Sequence, residues 1–98
     1  MASTVRIVIP TPLRQYVGNQ DVVEIAASDV RGAIGSLVGR YDQLRRHLYN
    51  DEGRLRNFVN IYVNEEDIRF LQGPATPLKA GDAVSIVPAI AGGTNRTG

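Results

Sequence analysis

Residues 58–63 read Phe-Val-Asn-Ile-Tyr-Val, and this stretch decides the fold. Its side chains alternate between two sets, and a period of two is typical of a strand with one buried face. The aliphatic set, which we expect to face a core, comprises Val59, Ile61 and Val63. The other set contains Asn60 and two aromatic residues, Phe58 and Tyr62. An aromatic pair on an open sheet face would suit docking to a partner, whereas cover by Leu78 or by the C-terminal residues is the alternative.

Further strands are predicted on both sides of this stretch. Residues 5–9 and 22–25 are rich in β-branched side chains and favour an N-terminal hairpin, with Pro10 ending its first strand and a loop between the two. After the polar turn at 64–67 we expect a short returning strand at 68–70. Residues 83–87 form the last predicted strand, which Pro88 ends.

One helix is predicted between the hairpin and residue 58. Ser28 or Asp29 can cap its first turn by accepting from free backbone N–H groups. The apolar residues that follow recur at helical spacing and define one face, which comprises Val30, Ile34, Leu37 and Tyr41, widened by Ala33 and Val38. Residues 44–49 allow only a short additional turn.

The order strand, strand, helix, strand, short strand, strand predicts an α+β domain in which one main helix packs on one face of a mixed sheet. The β-grasp fold of ubiquitin is the compact solution with that order. A ferredoxin-like fold would need a second full helix, for which residues 44–49 are too few. We therefore expect a ubiquitin-like β-grasp domain at residues 1–88 and a flexible tail at 89–98, where no apolar period is present.

The composition excludes several classes of function. Of 98 residues none is cysteine and one is histidine, so disulfides, Cys-based zinc sites, iron–sulfur clusters and thiol catalysis are ruled out, and no metal site is expected. Eleven basic and ten acidic residues leave a net charge of +1, which argues against nucleic acid as a partner. No apolar run is long enough to span a membrane, and no secretory signal is apparent. We expect a cytoplasmic protein that is not an enzyme.

Two charged motifs have ordinary explanations that we favour. The single histidine, His47, has no second ligand candidate and is expected at a surface or half-buried position. The acidic run at residues 65–67 lies in a predicted turn, where nothing would raise a carboxyl pKa for acid–base chemistry.

The basic residues of the middle of the chain leave two alternatives open. They are Arg40, Arg45, Arg46, Arg54 and Arg56, with acidic residues among them. A solvated face is the simpler interpretation, and a docking patch for an acidic partner surface is the functional one.

The dipeptide Gly92-Gly93 is informative through its position. Ten glycines in 98 residues predict about one such pair by chance. This pair, however, follows the last predicted strand, and glycine has no Cβ to obstruct passage through a narrow channel. Such a tail could bring a terminal carboxyl to another protein's active site, whereas an inert end of small residues is the alternative.

Three stretches of the chain resemble the MoaD/ThiS family of ubiquitin-like sulfur carriers. They are residues 5–14, residues 56–70 with Phe-Val-Asn-Ile-Tyr-Val-Asn followed by acidic residues and Ile-Arg-Phe, and residues 81–93 with the glycine pair. With the helix between them, the likeness spans residues 4–93. It is greatest for the branch that contains the actinobacterial cysteine-biosynthesis sulfur carrier.

The resemblance implies a carrier without a cofactor of its own, whose glycine carboxyl is the reactive group. In the family an E1-like ATP-dependent activating enzyme, an adenylyl- and sulfurtransferase, adenylates that carboxylate, and a sulfur donor converts it to a thiocarboxylate. In the cysteine branch a PLP-dependent cysteine synthase presents the sulfur acceptor. By this resemblance Gly93 bears the sulfur, and Ala91 and Gly92 enter partner active sites with it.

The chain departs from the family pattern after Gly93. Family members commonly end at the glycine pair, whereas here Thr94-Asn95-Arg96-Thr97-Gly98 follow and keep the Gly93 carboxyl in a peptide bond. Some relatives are trimmed at this point by a JAMM-type zinc metalloprotease, so we predict a precursor. The alternative is that these five residues are not native to the protein.

Other functions remain open beside delivery of sulfur for cysteine or a related metabolite. The chain could be the small subunit of molybdopterin synthase, where a similar tail enters a large catalytic subunit. It could also be a protein modifier attached through Gly93 to lysines. With an inert tail it would be a plain β-grasp binding module.

Overall fold

A computed structural model describes residues 3–56 and 59–88 of the chain. Within these residues the chain forms five strands and two α-helices. The strands are β1 (Ser3–Val8), β2 (Val22–Ala27), β3 (Val59–Val63), β4 (Glu66–Asp67) and β5 (Ala83–Pro88). The helices are α1 (Val30–Arg40) and the four-residue α2 (Arg45–Leu48). Short 3-10 helices occupy Thr11–Val17, Asp42–Leu44, Ile68–Phe70 and Gly73–Ala75.

The strands form one mixed sheet in the order β2-β1-β5-β3-β4. Strands β1 and β2 form the predicted antiparallel hairpin, β5 lies parallel to β1, and β3 runs antiparallel to both β5 and β4. The last strand in sequence is therefore the central strand of the sheet. This arrangement confirms the predicted β-grasp fold.

The core lies between one face of this sheet and helix α1. A row of paired residues crosses four strands on this face, namely Val23, Ile7, Val84 and Val63, and all four are buried. The helix contributes Val30, Ala33, Ile34, Leu37 and Val38, which are also buried. The predicted helix face is thus confirmed, with Tyr41 partly buried against the core.

Helix α1 begins where the capping residue was expected. Asp29 is its N-cap, and its side-chain oxygen accepts a hydrogen bond of 2.8 Å from the backbone N–H of Gly32. That bond satisfies one donor of the first turn, which has no partner within the helix. Of the two predicted capping residues, Asp29 and not Ser28 therefore performs this role.

Two segments differ from the sequence prediction. Residues 11–17 form a 3-10 helix where a loop was expected, since Leu13 and Val17 turn inward and join the core. Residues 68–70 form a 3-10 helix and not a strand, and the short returning strand is β4, which lies within the predicted turn. There the Asp67 carboxylate accepts a hydrogen bond of 2.8 Å from the backbone N–H of Arg69 and caps this 3-10 helix. The strand pairing with β3 therefore ends at β4.

Candidate functional site

The candidate functional site lies where β5 leads toward the glycine pair. Pro88, the last described residue, ends central strand β5 and pairs with Val59 of β3, whereas the pairing of β5 with β1 ends at Ser85. A cavity of about 470 Å³ adjoins this point and is lined by Ile9, Pro10, Arg14, Val87 and Pro88 among others. The end of β5 that leads toward the glycine pair is thus paired with β3 and borders this cavity.

The sheet face away from α1 carries a second row of paired residues. It crosses all five strands and comprises Val22, Val8, Ser85, Tyr62 and Asp67. Tyr62 is half-buried and does not belong to the group of side chains packed against the core. Tyr62 therefore faces away from α1, as the alternation predicted, whereas an open surface there and its role in docking stay predictions.

Cover of this face by Leu78 does not occur. Leu78 is buried within the hydrophobic core together with the residues of α1, and its backbone N–H donates to the carbonyl of Ser28. It therefore lies among side chains on the helix side of the sheet.

Three exposed large apolar side chains, Phe70, Leu71 and Val87, were missed as candidates. Val87 is 43% exposed on β5, where it pairs with Asn60 and so shares the open face with Tyr62. Phe70 is 82% exposed in the 3-10 helix after β4. The signal for Val87 was present in the sequence, since an aliphatic residue there breaks the alternation that buries Val84 and Ile86.

An ion pair lies at the β4 edge of the open face. Asp67, only 7% exposed, accepts from Arg69 Nη2 at 2.6 Å, while the Arg69 side chain is 69% exposed. Hydrogen bonds from the Arg69 side chain and backbone lower the pKa of Asp67 below its usual value. Asp67 is therefore a structural carboxylate held in its charged form, in keeping with the expectation that this acidic run does no acid–base catalysis.

A second polar cluster fixes the start of β5. Asn64 Nδ2 donates to Asp82 Oδ1 at 2.9 Å, and the backbone N–H of Ala83 donates to Asn64 Oδ1 at 3.0 Å. Asp82 Oδ2 also accepts from the backbone N–H of Lys79 at 2.8 Å. The bonds from Lys79 and Asn64 lower the pKa of Asp82. These contacts hold the entry to β5 against the β3–β4 turn.

Most of the residues predicted to carry the function lie outside the described residues. These are Phe58, Ala91, Gly92 and Gly93, together with the extension at 94–98. His47 is half-buried as expected, and its ring stacks on Tyr16 with ring centroids 4.5 Å apart. Within residues 3–56 and 59–88, no three His, Cys, Asp or Glu side chains are grouped so that they could hold a metal ion. No helix in that same part of the chain has the length and apolar character needed to cross a membrane.

The fold defines a small ubiquitin-like protein, and the family comparison identifies it as a carrier. The model of the ThiS family matches residues 7–93, and the chain belongs to that family of ubiquitin-like sulfur carriers. It is 42% identical over 91 residues to the sulfur carrier protein CysO of Mycobacterium tuberculosis. The aligned region covers 91% of this chain and 98% of that relative. The chain is thus a CysO homologue and a carrier, not an enzyme.

Solved structures give the same result. The CysO chain in the crystal structure of the Amycolatopsis orientalis BexX/CysO complex has a TM-score of 0.81 at 38% identity, covering 91% of this chain and 99% of that one. The small archaeal modifier protein 1 of Methanosarcina acetivorans has a TM-score of 0.84 at 27% identity, covering 95% of this chain and 99% of that one. Relatives from bacteria and archaea therefore share this fold.

Proposed function

We propose that this chain carries sulfur as a thiocarboxylate on Gly93 and delivers it for the synthesis of cysteine or a related sulfur metabolite. The observation that carries the proposal is where the family match ends. The match runs from residue 7 to residue 93, the second glycine of the pair, although the sequence continues to Gly98. Homology to a sulfur carrier named CysO supports the same assignment.

The chemistry requires a free carboxylate on Gly93. A carboxylate is a poor electrophile, so its oxygen first attacks the α-phosphorus of ATP on an activating enzyme, and pyrophosphate leaves. Sulfide, or a persulfide followed by reduction with a thiol, then attacks the acyl carbon of the mixed anhydride, and AMP leaves. The resulting thiocarboxylate is a soft sulfur nucleophile, which a PLP-dependent cysteine synthase or another acceptor enzyme can use.

Removal of Thr94–Gly98 precedes this activation. Hydrolysis of the Gly93–Thr94 peptide bond by a JAMM-type metalloprotease consumes one water and leaves the carboxylate on Gly93. Glycines at 92 and 93 suit both active sites, because the absence of a Cβ lets the backbone pass through a narrow channel.

The open sheet face supplies the docking surface for the activating enzyme. Half-buried Tyr62 on β3 and exposed Val87 on β5 contribute apolar area near Pro88, the last described residue. Aromatic side chains are enriched at the centre of protein interfaces. A partner bound there would hold residues 89–93 at its own active site.

The test compares two forms of the chain with the cognate activating enzyme, ATP and sulfide. A chain ending at Gly93 should release pyrophosphate and, by intact mass, exchange one oxygen for sulfur. The chain ending at Gly98 should do neither until the metalloprotease has removed the last five residues. Sulfur loading of the uncleaved chain, or no loading of the chain ending at Gly93, would refute the proposal.

A role as a protein modifier is the second candidate, favoured by the likeness to a small archaeal modifier protein. In that role the activated Gly93 carbonyl would be attacked by a lysine amine, which forms an isopeptide bond. An affinity-tagged chain ending at Gly93 would then give covalent conjugates that survive denaturing gels. After trypsin digestion their modified lysines would carry residues 80–93, because Lys79 is the last basic residue before Gly93. Their absence in cells that load the thiocarboxylate would exclude this role.

A further inference from the structure

A groove on the helix side of the molecule plays no part in the proposed sulfur chemistry. It lies between α1 and residues 49–55 and has a volume of about 680 Å³. Its floor is apolar and includes Ile34 and Val38 of α1, which are almost fully buried, and half-buried Leu55. The backbones of Tyr49 and Leu55 pair as an antiparallel bridge, which closes the turn that forms the far wall.

Gly35 keeps this groove open. A Cβ built on Gly35 would meet no atom within 4 Å, so space for a foreign side chain lies directly over the helix. Gly35 weakens α1 by about 1 kcal/mol relative to alanine, although its φ does not require glycine. The residue thus leaves room for an apolar side chain from another molecule.

Arginines surround the apolar floor. Three exposed arginines line the groove, namely Arg31, Arg45 and Arg54. The same lining contains one acidic side chain, that of Asp51. Arg45 has only a long contact of 3.7 Å with exposed Asp42. Within the described part of the chain, the guanidinium groups of Arg31 and Arg54 form no ion pair. A smaller cavity that shares Arg45 and Asp51 extends the basic lining through Arg46 and Arg56.

Tyr49 adds a neutral donor to the same wall. Burial raises the pKa of its phenol, although the nearby charges of Arg45 and Arg31 act in the opposite direction. In the described residues the hydroxyl has no hydrogen-bond partner. An incoming carboxylate or carbonyl oxygen could accept from it beside the two arginines.

We propose that this groove binds a short acidic segment of a partner protein. An apolar side chain of that segment fills the space over Gly35, and flanking carboxylates pair with Arg31, Arg45 and Arg54. Charge complementarity selects this occupant, since the chain's own residues 89–98 contain no Asp or Glu. Nucleic acid fits less well, because the floor is apolar and the net charge of the chain is only +1.

This surface goes beyond the proposed sulfur carriage and is independent of it. Helix α1 covers one face of the sheet, whereas Tyr62 and Val87 lie on the other face. A partner held through the groove would therefore leave the open face and the Gly93 tail accessible. The carrier could be recruited by one protein while a second acts on its tail.

The test uses fluorescent peptides of the form Glu-Asp-X-Glu-Asp, in which X is Leu or Phe, titrated with the chain ending at Gly98. Binding should saturate with a dissociation constant below about 1 mM and weaken as salt is raised. Backbone amide signals of Gly35, Gly53 and Leu55 should shift in NMR spectra. The neutral peptide Gln-Asn-X-Gln-Asn and the peptide with Ala at X should bind at least about fivefold more weakly.

Matched variants separate the groove from general charge effects. Arg31→Glu and Arg54→Glu should each weaken binding about fivefold or more, whereas Lys79→Glu, with the same change in net charge outside the groove, should not. Gly35→Leu should abolish binding by filling the groove. Gly39→Leu is its control, because Gly39 is also in α1 with open space around its Cβ but does not line the groove.

Three results would overturn the inference. One is the absence of saturable binding by both acidic peptides. Another is binding that shifts signals of Tyr62 and Val87 instead of the groove. The third is a concentration-dependent shift of the groove signals without peptide, since the occupant would then be a second copy of the chain. Normal sulfur loading of Gly35→Leu would show that loss of peptide binding at the groove is separate from the function proposed for Gly93.

Discussion

The two faces of the sheet differ although adjacent residues of the same strands form them. Toward α1, the row of Val23, Ile7, Val84 and Val63 is aliphatic and buried. Away from α1, the row through Val8, Ser85, Tyr62 and Asp67 mixes apolar, aromatic and charged groups, and no element of the described chain packs over Tyr62 as part of the core. The first face stabilises the fold, and the second is the face on which we propose that the activating enzyme docks.

The largest expected effect comes from adjacent residues on β3. Ile61→Ala should lower the free energy of unfolding by about 3 kcal/mol, because it leaves a cavity in the core. Tyr62→Ala should lower it by about 1 kcal/mol or less, since that side chain is half-buried on the other face. Urea denaturation of both variants measures the difference. Equal losses would mean that Tyr62 is a core residue and that the open face is not free.

A charge on the open face should affect binding more than stability. Val87→Glu should weaken association with the cognate activating enzyme at least about tenfold and change the free energy of unfolding by less than about 1 kcal/mol. Ala26→Glu is the control, because Ala26 is exposed on the same face but on edge strand β2. Titration calorimetry measures the association of both variants with the enzyme, and urea denaturation measures their free energies of unfolding. Comparable weakening by the two variants would place the enzyme elsewhere or show only general repulsion.

The β3–β4 turn gives a smaller effect of opposite sign. Asn64 and Glu65 have positive φ angles of 50° and 78°, and glycine is preferred at the second position of such a two-residue turn. Glu65→Gly should raise the free energy of unfolding by about 1 kcal/mol. Glu66→Gly, one residue later in β4, should lower it by about 0.5 to 1 kcal/mol. Thermal denaturation of both variants measures these changes. A loss of stability in Glu65→Gly together with a gain in Glu66→Gly would contradict the assigned turn.

The smallest expected effect is that of the ion pair beside the open face, because Arg69 is largely exposed to solvent. The folded-state pKa of Asp67 is below its usual value, so its carboxylate stabilises the fold above the unfolded pKa, and this stabilisation is lost as pH falls through the lowered value. Asp67→Asn should therefore be less stable than the unmodified chain at neutral pH, and the gap should close below about pH 4.

Urea denaturation across pH measures this gap. Asp21→Asn serves as the control, since Asp21 is exposed and its carboxylate has no hydrogen bond within the described residues. A gap for Asp67→Asn that persists unchanged into strong acid would show that packing, and not the charge, accounts for it.

The covered face could be predicted from sequence because its signal is local and periodic. Val59, Ile61 and Val63 alternate within five residues, and the helix face recurs every three or four residues behind the Asp29 cap. The N-terminal hairpin and the β-grasp class followed from the order of these elements along the chain, whereas the order of strands within the sheet comes from the structure.

Other features depend on contacts between distant parts of the chain. The 3-10 helix at Thr11–Val17 looks like a loop in sequence because two prolines start it, and the burial of Leu13 and Val17 decides its shape. The groove joins residues of α1 with residues 49–55 and Pro74, which no local pattern connects. Among the proposed site residues, Tyr62 followed from alternation, whereas Gly93 followed from resemblance to a family and from its place after the last strand.

Fragmentation mass spectrometry of the sulfur-loaded chain tests the central claim most directly. After treatment with the metalloprotease, activating enzyme, ATP and sulfide, the C-terminal fragment should end at Gly93 and carry one sulfur in place of one oxygen. Every fragment that ends before Gly93 should have its ordinary mass. Sulfur located on any other residue, or a loaded chain that still contains Thr94–Gly98, would contradict the account.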